Sequence, residues 1–348
     1  MAFDTILPAD SVEFCPHPNA QDVFVCGTYS LENPAHVAEE SAQKRTGQCL
    51  VFKIDASGAA PRNIQAINLP AVLDMKWCHQ SLSSPLLAVA DSEGNVSLYR
   101  WEESESQLQS HSSISCAPPE VLCLSIDWSN RRYNSTVGSL VVSLSSGSLC
   151  ILGATEGSAS GFSVIDTWHA HDHEPWIAAW DYWDPCVIYS GGDDLKLKGW
   201  DTRQGFSQPT FTNRRFEAGV TAIQSNPHME SYFAVGTYNN TVCVFDKRKP
   251  LVPVTQADVG GGAWRVKWHP YVKRKHDLLV ACMHDGFKVV RFTADNAGLD
   301  GGEPEIVKRF DDHTSLAYGV DWSFSDSGGE TLIASCSFYD HTLHMWTG

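Results

Sequence analysis

Short runs of alternating apolar and polar residues recur along the whole chain, rich in Val, Ile, Thr and aromatics and broken by Gly, Asn, Asp and Pro. A period of two with these residue types predicts β-strands. No segment shows a long helical stripe. One grammar repeats seven times: an apolar strand, a turn, a strand of small residues, a polar turn, and a strand ending in an aromatic. "PWIAAWDYWDPCVIYSGGDDLKLKGWDTR" (175–203) shows it most clearly, and "VTAIQSNPHMESYFAVGTYNNTVCVFDKR" (220–248) follows it closely. The first turns fall near residues 15, 78, 129, 184, 226, 269 and 323, so successive units lie 42 to 63 residues apart.

The shortest spacings match the ~40–45 residues of a propeller blade, and the longer ones hold polar insertions. The pattern therefore predicts an all-β, seven-bladed β-propeller, residues 1–348 as a single domain. Closing the ring hides its sheet edges. The last unit supplies three strands before the chain ends, so "AFDTIL" at the N-terminus is expected to close the ring as its fourth. A polar insertion, 31–47, is expected over one face. "SGGDDLKLKGWD" carries the WD-repeat signature. The likeness to that repeat assigns His171, Ser190, Asp194 and Trp200 to a structural hydrogen-bond network, and His313, Asp340 and Trp346 repeat most of it.

Composition adjusts this picture at the edges. The 43% apolar and 19% charged residues suit a globular protein, and no apolar run approaches the ~18 residues that span a bilayer. Together with an N-terminus that has no signal-peptide pattern, this points to the cytoplasm. Eleven cysteines without a C-x-x-C pair read as reduced, mostly buried thiols. A net charge of −16 disfavours nucleic acid and anionic membranes and favours a basic or cationic partner. A closed ring gives no reason to expect more than a monomer.

Candidate chemistry comes from aligning the turns between second and third strands. The residue just before the position of the structural Asp in the repeat is Tyr29, Ser92, Ser145, Asp193, Tyr238, His284 and Tyr339 in successive blades, a set expected around one rim of the central channel. Loops entering the first strands add Glu174, Trp176, Trp264 and Tyr318 on the same face. Aromatics and carboxylates around a concavity suit a quaternary ammonium held by cation–π attraction. "GGGAWRVKWHP" (260–270) opens on the same rim, where the backbone of Gly261 and Gly262 could face a developing oxyanion or form a tight turn. "HAHDHE" (169–174) has the look of a metal cluster, but His171 belongs to the structural network and no distant Cys/His set has ligand spacing. No metal and no cofactor is therefore expected. No G-x-S-x-G elbow, Walker, Rossmann or zincin pattern is present.

"WIAAWDYWDP", "YSGGDD", "GGGAWRVKWHP", "ACMHDGFK", "YGVDWS" and "SCSFYDHTLHMW" together resemble the diphthine methyl ester hydrolase family of diphthamide biosynthesis, also called diphthine methyltransferases. The likeness runs from "FDTILPADSVEFCP" to the last strand. It implies an ester hydrolase whose partner and substrate is translation elongation factor 2, bearing a modified histidine with a trimethylammonium group and a methyl ester. It supplies no nucleophile. The catalytic assignment that follows is His284 as general base and Asp193 orienting it or holding the cation, with His341 and Cys282 as alternatives. Tyr29, Glu174, Trp176, Tyr238, Gly261, Gly262, Trp264, Tyr318 and Tyr339 are the expected substrate-binding residues. The competing readings are a non-catalytic scaffold using the same rim and a metal-dependent hydrolase.

Overall fold

A computed structural model describes residues 2–32, 44–55, 61–80, 82–132, 137–155, 161–295, 298–299, 301–325 and 329–348. Seven antiparallel sheets stand around one central channel, and the described residues hold no α-helix, only a single 3₁₀ turn at Val272–Arg274. No described helix is long and apolar enough to cross a membrane.

Each blade begins with an inner strand along the channel. These are Ala9–Phe14, Val72–Trp77, Cys123–Trp128, Ile177–Trp180, Val220–Ser225, Arg265–Trp268 and Ala317–Trp322. The inner strands are almost wholly buried, whereas the outer strand Pro61–Pro70 runs between half-buried and exposed, and Gln107–Ser115 buries only Leu108 and Ile114. Blade 7 takes its outer strand from the N-terminus: Phe3 pairs with Leu343 and Asp4 with Thr342, as the short last unit predicts.

The core lies in the seams between blades. Trp77 packs with Val25 and Val51 of the preceding blade, and Trp322 with Leu279 and Val289. Burying each such side chain contributes roughly 1.5–3 kcal/mol. The tryptophans closing the inner strands also latch neighbours by hydrogen bonds. The indole of Trp77 donates to Glu13 O (3.2 Å), Trp128 to Lys76 O (2.9 Å), Trp268 to Gln224 O (3.1 Å) and Trp322 to Lys267 O (2.9 Å).

The WD network forms in blade 4. His171 sits 2.8 Å from both Asp194 Oδ1 and Ser190 Oγ, and Trp200 Nε1 donates to Ser190 at 2.9 Å. Blade 7 modifies it: His313 and Trp346 meet at Ser335, while Ser337 stands between His313 and Asp340. All eleven cysteines are free thiols. Of the 31–47 insertion, residues 33–43 lie outside the described residues. Its two ends meet at the rim, where Ser30–Leu31 pairs with Arg45–Thr46 and Lys44 bridges Glu32 at 3.2 Å.

Candidate functional site

The inner strands share one feature that builds the site. Counting four residues back from the last residue of each gives Asp10, Leu73, Leu124, Trp176, Thr221, Trp264 and Tyr318. In blades 1, 2, 3, 5 and 7 this position falls on a register shift, for example between Ala9 and Ser11 or Ala317 and Gly319. In blades 4 and 6 it immediately precedes the strand. A bulge inserts an unpaired residue and re-aims its side chain. Six of the seven line a hollow of about 460 Å³ at the channel mouth. The seventh, Thr221, turns its hydroxyl to Ala263 O at 2.6 Å.

Aromatic rings run along one side of this mouth without a gap. Trp176 lies 5.6 Å from Trp264 and 6.5 Å from Tyr238, which is 5.9 Å from Trp264. Trp264 stacks on Tyr318 at 5.0 Å, Tyr318 meets Phe338 at 5.2 Å, and Phe338 meets Tyr29 at 6.1 Å. Tyr29 accepts a hydrogen bond from Arg45 Nε (2.9 Å). Burial, with the nearby carboxylate of Asp193, pushes the Tyr238 phenol up. Burial and Asp10 push Tyr318 up to about 12, so both rings stay neutral near pH 7. The indole N–H groups of Trp176 and Trp264 are buried with no hydrogen-bond partner. Leu73 and Leu124 complete the wall on the opposite side, and exposed Glu174 stands at its edge.

From the mouth, which Arg265 helps to line, downward, the channel is lined by acidic and basic side chains. Arg265 donates to Leu73 O (3.2 Å) and sits 3.6 Å from Asp74. Lys76 bridges Asp74 (2.7 Å) and Glu13 (2.6 Å), and Lys267 binds the same Glu13 oxygen at 2.6 Å while facing Asp321 at 3.4 Å. Burial alone would raise Glu13. The two lysines outweigh it and hold the carboxyl below its usual range.

Of the residues expected at the rim, Tyr29, Glu174, Trp176, Tyr238, Trp264 and Tyr318 line the mouth together. Asp193 lies just behind, its carboxylate against Gly219 and Tyr238. His284 and Tyr339 do not share it. Both line a separate hollow of about 520 Å³ with Asp285, Arg309 and Asp311, and Tyr339 is 71% exposed. The cause is local: Asp285 N donates back to Cys282 O (2.7 Å), which makes His284 the third residue of its turn, whereas Asp193 is the second residue of the Gly192–Leu195 turn. The glycine triplet is a packing device. Gly260 has a φ of +77°, and a Cβ on Gly261 would strike Cys282 O. One on Gly262 would lie 2.7 Å from Met283 Sδ. Both glycines are buried and neither lines the mouth. Burial pushes the Cys282 thiol up to about 12, an inert state for a nucleophile. Among the described residues no group of three or more His, Cys, Asp or Glu is arranged to hold a metal. Asp10, one of the mouth residues, escapes the alignment of turns because it lies on an inner strand.

No family model matches the chain. A mitotic checkpoint complex chain superposes with a TM-score of 0.71 over 100% of this chain and 91% of that one, at 17% identity, a likeness of fold alone. The diphthine methyltransferase of Mus musculus is 38% identical over 334 residues, covering 93% of this chain and 69% of its own. That of Homo sapiens is 37% identical over 339 residues, covering 92% and 74%. The diphthine methyltransferase homolog of Dictyostelium discoideum is 34% identical, covering 97% and 96%. With a third or more of its positions shared along nearly its full length, the chain belongs to the diphthine methyltransferase family.

Proposed function

We propose that this protein hydrolyses the methyl ester of methylated diphthine on translation elongation factor 2, leaving diphthine for the final amidation. The unbroken arc of six aromatic rings around the channel mouth carries this reading. A trimethylammonium group has no hydrogen to donate, so a cage of ring faces with carboxylates nearby is the chemistry that recognises it. Glu174 at the edge and Asp193 behind Tyr238 supply the negative field. An open mouth admits a modified side chain that protrudes from a macromolecule. The net charge of −16 favours approach by a basic surface. The relatives' family name places them in methyl chemistry on diphthine, and hydrolysis is the direction that needs only water as co-substrate.

The test is to incubate purified protein with methyl-esterified elongation factor and follow methanol release together with the mass of the modified peptide. Loss of one methylene mass with stoichiometric methanol is expected. Binding that is indifferent to the ester, with no methanol, would instead mark a scaffold.

A further inference from the structure

The mouth holds one ionisable ring position that the cage does not explain. Asp10 occupies, in blade 1, the place that leucine or an aromatic fills in five other blades. It is 7% exposed and lines the hollow beside Tyr318 and Leu73. Among the described residues its carboxyl makes no hydrogen bond and no ion pair. Burying a carboxyl without partners is costly, and a bulge is spent on aiming this one into the mouth.

We propose that Asp10 is the general base of the site: on the ester-hydrolysis reading above, its carboxylate takes a proton from the water that attacks the ester carbonyl held against the aromatic arc, while Arg265 faces the oxygen that turns negative. The water oxygen bonds to the carbonyl carbon and the C=O electrons move onto that oxygen. As the tetrahedral intermediate collapses, the bond to methoxide breaks and the leaving oxygen takes the proton back from Asp10. Methanol leaves, and the new carboxylic acid loses its proton to solvent.

The groups facing Asp10 fit this role. They are Arg265 from blade 6, Asp74 from blade 2, Tyr318 from blade 7 and the Cys26 thiol from the neighbouring strand of its own blade. Burial raises the Asp10 carboxyl, Arg265 pulls it back and Asp74 raises it again, to about 7. A base at that value is strong enough to accept a proton and still ionised near neutrality. A cation seated in the arc favours the carboxylate over the acid. The substrate's own headgroup therefore switches the base on.

Steady-state kinetics on methyl-esterified elongation factor test this, with choline quenching of tryptophan fluorescence as a separate readout of the cage. The wild-type kcat/KM should rise roughly tenfold per pH unit and level off near pH ~7, with the matching limb of kcat displaced to lower pH. Asp10→Asn should lower kcat by ~10²-fold or more, while choline binding weakens only by the factor that matches the displacement of the kcat limb. Asp10→Glu should restore part of kcat together with the pH limb. A flat wild-type profile between pH ~5 and ~8 overturns the proposal without reference to whether any variant folds. So does an Asp10→Asn enzyme with raised KM and unchanged kcat, which would make Asp10 a ligand of the cation only. If the wild type binds choline but releases no methanol, the hydrolase reading itself fails; if it releases methanol and Asp10→Asn does too, only the base assignment fails.

Discussion

At the scale of single residues, Trp264 is the keystone of the mouth, because its ring touches Trp176, Tyr238 and Tyr318 at once. Trp264→Ala should weaken choline binding by roughly tenfold or more, as expected for loss of a desolvated cation–π face, with a smaller effect on the melting temperature. His284→Ala is expected to keep most of the wild-type methanol release, since His284 stands in the adjoining hollow; loss of turnover with an intact fold would return it to the mechanism. Tyr29, Trp176, Tyr238, Trp264 and Tyr318 were legible in the sequence because entry loops and rim turns carry them at fixed places in the repeat, whereas Phe338 was missed by one residue, Tyr339 having been expected in its place. His284 misled because its place is counted back from Asp285, while Asp285 N closes the turn on Cys282 O and so sets His284 one residue further along its turn than Asp193 stands in the Gly192–Leu195 turn. Asp10 was overlooked for a different reason: one bulged residue in "ADSVEF" reads as ordinary strand alternation until the seven inner strands are laid in register.

At the scale of elements, the inner strands do two jobs with one pattern. Their last residues, mostly aromatic, lock the seams, while the preceding ones, Glu13, Lys76, Asp127, Lys267 and Asp321 among them, put charge along the channel. This is visible as acidic or basic residues next to the aromatics in "VEF", "MKW", "IDW", "VKW" and "VDW". Glu13 serves two lysines. Glu13→Gln should therefore cost on the order of 3–5 kcal/mol, the penalty for leaving buried charge uncompensated, measured by denaturant unfolding. Because the folded-state value of Glu13 lies below its unfolded one, its contribution is present above the ordinary carboxylate range and is lost as the pH falls through the depressed value. The outermost strands were the least legible elements. Segments such as 102–117 and 293–308 carry no recognisable motif, yet Gln107–Ser115 and Glu305–Phe310 pair at the periphery, where solvent on one side relaxes the demand for an apolar pattern.

At the scale of the whole molecule, seven units and the closing strand were readable from spacing alone, since a ring that lacks one strand must borrow it. Ala2–Asp4 holds blade 7 through three register pairs, Phe3 meets Phe52 edge-on at 5.0 Å, and Thr5 N donates to His341 O at 2.8 Å. Removing residues 2–5 leaves Thr342–Thr347 with a bare edge. The unfolding midpoint should drop by at least ~5 °C in a thermal scan, and self-association should rise; an unchanged midpoint would mean the ring is held by its seams.

Because the six mouth positions are copies of one place in the repeat, the backbone treats them as interchangeable settings on a dial. Exchanging the identities of positions 10 and 73 would rotate the carboxyl by one notch relative to the arc while the latches beneath stay as they are. Turnover would then depend on angular placement within a constant frame, so the architecture lends itself to relocating reactive groups by permutation instead of by redesign.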